Sequence, residues 1–145
     1  MAADVSQEDL SQSQILERSR SLTQSYRYLA ALEVLDTGLS LYPDNEDMTA
    51  EFKKNTELYI VHEISSGYRR IDKNPQDVEA YLSISKAFLL MDDKFKALEV
   101  LTEGTFVNQS SVALWRQIAQ LETLSGRLQE ANSALREAER YDSSH

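Results

Sequence analysis

The strongest constraint in this sequence is an interval of 34 residues that recurs across its C-terminal half. Tyr81 and Trp115 are separated by it, and so are Ile84 and Ile118, Ala97 and Ala131, and Leu101 and Leu135. A period this long marks stacked helix pairs, because one hairpin of helices cannot bury its apolar face alone and must pack on the next. The stretch from Tyr81 to Ala138 therefore predicts two successive helical hairpins. Small residues fall where paired helices must approach closely, and large ones where a helix fills the space between its neighbours.

The order of residue types within each copy is as informative as the period. The last copy reads Trp115, Ile118, Ala119, Glu122, then Ala131, Leu135 and Ala138; the copy before it reads Tyr81, Ile84, Ser85, Phe88, then Ala97, Leu101 and Gly104. This pattern resembles the tetratricopeptide repeat family. In the N-terminal third, Ala31, Leu35, Gly38 and Pro43 keep the spacing of that family's second helix, including the closing proline. Counting back from Ala31 gives Ile15, with Arg18 and Ser19 in the slots the family fills with Leu and Gly. The resemblance covers about two thirds of the chain. It implies an all-α, TPR-like alpha-alpha superhelix, a right-handed solenoid of helical hairpins with about seven helices. One domain is expected over residues 9–145: an N-terminal helical hairpin (9–43), a long or degenerate repeat helix (45–73), and two repeats (75–108 and 110–142).

Composition agrees with a helical chain and narrows its chemistry. Four glycines and two prolines in 145 residues leave few breaks, so helix is favoured throughout. A length of 145 residues suits one domain of ordinary size. The formal charge of −9, most of it in the first 50 residues, argues against nucleic acid or an anionic membrane as the main partner. The absence of cysteine excludes disulfides, thiol catalysis and sulfur-based zinc sites. The opening Met-Ala-Ala-Asp-Val-Ser is acidic and polar, unlike a secretory leader, and no apolar run approaches the roughly 18 residues that would span a bilayer. A soluble cytoplasmic protein whose last helix closes the array is expected, because Asn132 and Glu139 make its outer face polar.

Taken in order, residues 1–8 lack periodicity and are expected to be frayed. Helices are predicted at about 8–23, 25–42, 45–73, 75–91, 94–107, 111–125 and 128–141. The second, apolar on more than one side, should be covered on both. Between Asn45 and Lys73 the only turn signal is Gly67. Apolar residues change face midway, yet Leu58, Tyr59, Ile60 and Val61 make a poor turn. One continuous helix of roughly 40 Å is the economical reading. With Gly67 at an ordinary interior position, Gly67→Ala should be neutral or stabilising by up to about 1 kcal/mol. Asn74-Pro75-Gln76-Asp77 supplies a helix start with proline at its first position, and Asp92-Asp93 and Gly126 break the hairpins.

No enzymatic constellation emerges. His62 and His145 belong to no metal-ligating spacing, His62 is expected to be partly buried in a helix, and acidic pairs such as Asp92-Asp93 are explained by capping. No strand precedes a glycine-rich loop, so no phosphate cradle or other cofactor site is expected. The four Ser/Thr-Gln pairs at Ser6, Ser11, Ser13 and Thr23 read as a polar helix face. Function is therefore expected to be binding of a protein or peptide, as an adaptor or assembly scaffold. By the resemblance, the first helix of each repeat lines a groove, placing Leu82, Ser83, Lys86, Leu89 and Leu90 from one repeat beside Arg116, Gln117, Gln120 and Thr123 from the next. Two cations among apolar groups suit an acidic or amphipathic segment. Ser83 and Gln120 stand where the family's clamp for a C-terminal carboxylate has Asn, so that ligand is not expected. Two other readings share the fold: a small acidic secretion chaperone that dimerises through N-terminal helices, and a self-assembling structural protein. A monomer, or a homodimer in which residues 1–42 pack on the other chain, fits these readings.

Overall fold

The structure is a computed structural model and describes residues 11–142. Its seven α-helices are α1 (Gln12–Gln24), α2 (Tyr28–Leu41), α3 (Glu46–Lys73), α4 (Val78–Leu90), α5 (Lys94–Val107), α6 (Val112–Leu124) and α7 (Leu128–Tyr141), with no strand among the described residues. The helices form two compact units, residues 11–59 and residues 60–142, and α3 contributes to each. The expectations for residues 1–8, for the start of the first helix near Glu8, for the Ser6 pair and for His145 lie outside the described residues.

Side-chain caps start the first helix of every repeat. Ser11 and Gln14 form a reciprocal capping box, Asn45 Oδ1 accepts from the Met48 N–H at 2.9 Å, Asp77 Oδ1 from Ala80 at 3.1 Å, and Ser111 Oγ from Leu114 at 3.3 Å. A cap of this kind contributes about 1 kcal/mol by satisfying a backbone donor that the helix leaves free. Counted along the chain, successive caps lie 34, 32 and 34 residues apart.

Three hairpin turns share one geometry. The N–H groups of Arg27, Asp93 and Arg127 donate to the carbonyls of Leu22, Phe88 and Glu122, five residues back in each case. The residue before each donor is left-handed: Tyr26 at φ 62°, Asp92 at φ 58° and Gly126 at φ 77°. This is the Schellman way of ending a helix. The repeat that is two residues short has no such turn, and its residues 58–61 continue as helix. Ser19, Ser85 and Ala119, each eight residues after a cap, are buried at close approaches in the hairpins. Lys53 holds that place in α3 and is exposed.

In the first unit, Ile15, Leu16, Leu35 and Met48 form the core. Gly38 lets α1 and α3 approach α2, since a Cβ there would sit 2.7 Å from Ile15 Cγ2 and 2.9 Å from Met48 Sδ. Asn55, fully buried, donates to the Glu51 carbonyl at 2.9 Å and lies 2.7 Å from the Thr23 hydroxyl, so α1 and α3 also meet through a polar link. The second unit has the larger core, built on Tyr81, Ile84, Ala97, Val100, Leu101, Leu114, Ile118 and Leu121, with Ile64 and Ile71 of α3 packed against it.

Several local expectations are corrected. Gly67 does lie inside a continuous helix, but its Cβ would fall 2.4 Å from Ile84 Cγ1. It is a close helix contact, and Gly67→Ala is therefore expected to destabilise. Helix α4 starts at Val78 rather than Pro75, because Asn74 Oδ1 accepts from the Gln76 N–H and holds the proline in a turn while Asp77 takes over as cap. His62 is exposed on the outer face of α3. The apolar circumference of α2 is only partly covered: Leu29 and Leu41, near its ends, remain exposed. Leu135 repeats Leu101 in sequence but is 43% exposed where Leu101 is fully buried, as no described helix follows α7.

Candidate functional site

The face of α4 that points away from Ile84, Ser85 and Ala87 follows from the helical period. At about 100° per residue, Lys86 lies roughly 160° round the helix from Ile84 and roughly 100° from Ser85 and Ala87, and Leu90 stands one turn further along the same side. Lys86 and Leu90 are exposed, Ser83 is half-buried, and Leu82 and Leu89 pack against the core of the second unit. On α6 the same reasoning places Arg116, Gln120 and Thr123 outward, with Gln117 half-buried. Helix α5 packs against both α4 and α6.

The two cations differ in freedom. Arg116 reaches Asp142, the residue that ends α7, with Nη2 3.0 Å from Oδ2, so its charge is already balanced within the chain. No ion pair among the described residues engages Lys86. The Thr123 hydroxyl donates to the Ala119 carbonyl at 2.8 Å and is partly occupied by its own helix. The groove set thus divides into an apolar ledge of Leu82 and Leu89, a free ammonium with Leu90 at the end of α4, and a neutralised arginine on α6.

Sequence reasoning missed what lies just beyond Leu90. The turn from α4 to α5 exposes Met91, and the first turn of α5 leaves Phe95 77% exposed. Lys94 and Lys96 are the neighbours of Phe95 in sequence, Asp92 and Asp93 precede them, and Lys96 Nζ lies 5.8 Å from the centre of the Phe88 ring. The available signal was the occurrence of methionine and phenylalanine at a hairpin tip, where turns usually carry small polar residues. At the other end of α5, Phe106 and Val107 border a shallow depression of about 540 Å³ completed by Gln76, Asn108, Gln109, Ser110 and Tyr141. Among the described residues no cluster of three or more metal-ligating side chains occurs.

Glu122 lies in the core with its Oε1 3.0 Å from Arg127 Nε, an ion pair without hydrogen-bond alignment. Burial raises the pKa of Tyr68 and then the carboxylates of Glu103 and Glu99 raise it further. Burial and Glu103 act the same way on Tyr81, whose hydroxyl donates to the Pro75 carbonyl at 2.8 Å. Both environments thus favour the neutral phenol over the phenolate. Among the described residues, no helix is long and apolar enough to cross a membrane.

No family profile and no curated protein matches this sequence at a significant level. Solved structures do match its fold. TTC0263, a thermophilic TPR protein of Thermus thermophilus, aligns with a TM-score of 0.50 at 19% identity, over 91% of this chain and 75% of that one. A crystal structure of MamA aligns at 0.51 and 16% identity, over 91% and 78%. MamA from residue 41 onward, from Desulfovibrio magneticus RS-1, aligns at 0.51 and 12% identity, over 93% and 77%. At such identities the likeness speaks to architecture alone, and on that ground this all-α chain has the fold of the tetratricopeptide repeat proteins.

Proposed function

We propose that the chain is a non-enzymatic protein-interaction module of the cytoplasm, an adaptor or assembly scaffold that holds a peptide or helix of a partner on its second unit. The observation that carries this reading is the division of α4 into two faces. Ile84, Ser85 and Ala87 are spent on the core, while Lys86 and Leu90 stand exposed beside the ledge of Leu82 and Leu89. An unpaired ammonium next to apolar groups, in a chain of net charge −9, favours an acidic or amphipathic segment and steers it by long-range attraction. Half-buried Ser83 on α4 and Gln117 on α6, with Gln120 and Thr123 exposed on α6, would supply polar contacts to the same segment.

The test is a photo-cross-linking amino acid placed in vivo at Lys86 and, as a control, at Arg136 on the exposed face of α7. The reading expects one discrete partner adduct from position 86 that Leu90→Glu abolishes, and none from position 136. Equal adducts from both positions, or none from position 86, would contradict it.

A further inference from the structure

We propose that the outward face of α5 formed by Glu99, Thr102, Glu103 and Phe106, with Tyr68 of α3 at its edge, binds an arginine-bearing segment of a partner protein. This surface lies on a different helix from Lys86 and Leu90, carries the opposite charge, and does not depend on what the α4 face holds.

Ala97, Val100, Leu101, Gly104 and Thr105 turn α5 toward the core. The helical period then gathers positions 99, 102, 103 and 106 on the opposite side, within roughly 100° of one another. All four residues are exposed, Phe106 at 75%. The second half of α3 borders this face. Burial raises the pKa of Tyr68, and the carboxylates of Glu103 and Glu99 raise it further, so the phenol, itself 42% exposed, stands within their field. Burial and then Glu103 raise that of Tyr81 in the same way, and no cation offsets either effect.

Neither carboxylate has an ion pair among the described residues, and from Ala97 to Trp115 they are the only charged side chains. The cations around them are balanced or turned elsewhere. Lys96 Nζ lies 5.8 Å from the centre of the Phe88 ring on α4, and Lys94 stands roughly 140° round α5 from Glu99. On α3, Arg70 is paired with Asp77 at 2.9 Å, while Arg69 and Lys73 stand roughly 100° and 140° round the helix from Tyr68. Arg140, whose neighbour Tyr141 borders the depression at Phe106, is 4.0 Å from Glu137. One repeat back, the matching face of α3 holds Ser65, Tyr68, Arg69 and Asp72, and one repeat on, that of α7 holds Ser133, Arg136, Glu137 and Arg140. Both of those faces mix the two signs of charge, and the face of α5 carries acids alone. Glu99 and Glu103, four residues apart, have Cβ atoms about 6 Å from each other. A guanidinium can donate two parallel hydrogen bonds to such a carboxylate and lay its flat face on the Phe106 or Tyr68 ring, which the point charge of lysine does less well. The chemistry of the face therefore selects arginine.

The experiment uses the full chain and a fluorescein-labelled peptide of alternating arginine and serine, about 12 residues long, beside a matched peptide with lysine for arginine. Fluorescence anisotropy should show the arginine peptide binding about tenfold more tightly than the lysine peptide, with affinity falling as salt is raised. The double change Glu99→Gln with Glu103→Gln should weaken the arginine peptide about tenfold, or about 1.4 kcal/mol, and Phe106→Ser should weaken it by about threefold or more. A control, Glu33→Gln with Glu57→Gln, removes the same charge from exposed positions of the first unit and should change binding by less than about twofold. Helical circular dichroism should be unchanged in all three variants, because every altered side chain is exposed. Equal weakening by the control would mean that only the net charge of the chain attracts the peptide, and would overturn the proposal. Equal binding of the arginine and lysine peptides, or full binding by the Glu99 and Glu103 variant, would overturn it too. A dimer of the free chain that this variant dissociates would assign the face to a second copy and overturn the proposal as well.

Discussion

Helix α3 and the hairpins on either side of it are variants of one plan, and they differ by two residues. From cap to cap the hairpins α1–α2 and α4–α5 span 34 residues, and the α3 segment spans 32. Each hairpin places a left-handed residue at its tip, with Tyr26, Asp92 or Gly126 in that role. Fifteen residues after its own cap, α3 has Ile60, which is buried and helical. A β-branched residue strongly resists the left-handed region, and the missing two residues remove the slack a turn would need. Lys53, where the hairpins have a small residue, also prevents two halves of α3 from packing on each other. A repeat can thus be converted from a hairpin to a rod by a short deletion and two side-chain choices, while its cap and its contacts to the next helix are kept.

Backbone substitutions sharpen this contrast most. Val61→Pro should cost about 3 kcal/mol or more, since proline removes an interior helix hydrogen bond and clashes with the preceding turn. Val61 itself is 63% exposed, so the loss would come from the backbone and not from packing. Lys94→Pro, at the first helical position after the Asp93 cap, should stay within about 0.5 kcal/mol, because the N–H lost there has no helical acceptor. Chemical denaturation of the two variants checks the pair, and comparable losses at both positions would argue that α3 does turn near residue 61.

Gly67→Ala comes next, with an expected loss of about 1–3 kcal/mol from overpacking against Ile84. Ile84→Val in the same chain should recover part of that loss, and a double-mutant cycle measures the coupling. Additive losses would mean that Gly67 and Ile84 do not touch. The smallest pair concerns the turns. Gly126→Ala meets no atom within 4 Å but must hold φ 77°, so a loss of about 1 kcal/mol is expected. Tyr26→Gly relieves the same strain and should gain up to about 1 kcal/mol in thermal melts, less the greater freedom of glycine in the unfolded chain.

The helices were legible because their signals are local. The helix start signalled by Asn74-Pro75-Gln76-Asp77, though three residues early, the breaks at Asp92-Asp93 and Gly126, and the small residues Ala97 and Ala131 all act within one or two turns of chain. The continuity of α3 could be read for the same reason, from the poor turn at residues 58–61. What could not be read depends on which helix arrives from elsewhere. Gly67 looks like a weak helix position until Ile84 is brought against it, and Leu135 looks like core until its neighbours are known. The candidate surface divides in the same way. The helical period alone turns Lys86 and Leu90 outward, whereas the pairing of Arg116 with Asp142 needs the end of α7 to return beside α6. The apolar tip at Met91 and Phe95 is visible in the sequence, but the repeat pattern assigns those positions no role.

The central claim is that α3 is a single rod in which a hairpin would otherwise stand. The chain contains no cysteine, so nitroxide labels can be introduced cleanly at Asp47→Cys and Asp72→Cys, both at exposed positions of α3. Pulsed electron–electron resonance should then give a single narrow distribution near 37 Å, about 1.5 Å for each residue between the labels. A main population below about 20 Å would mean that the segment folds back on itself, and would contradict the account.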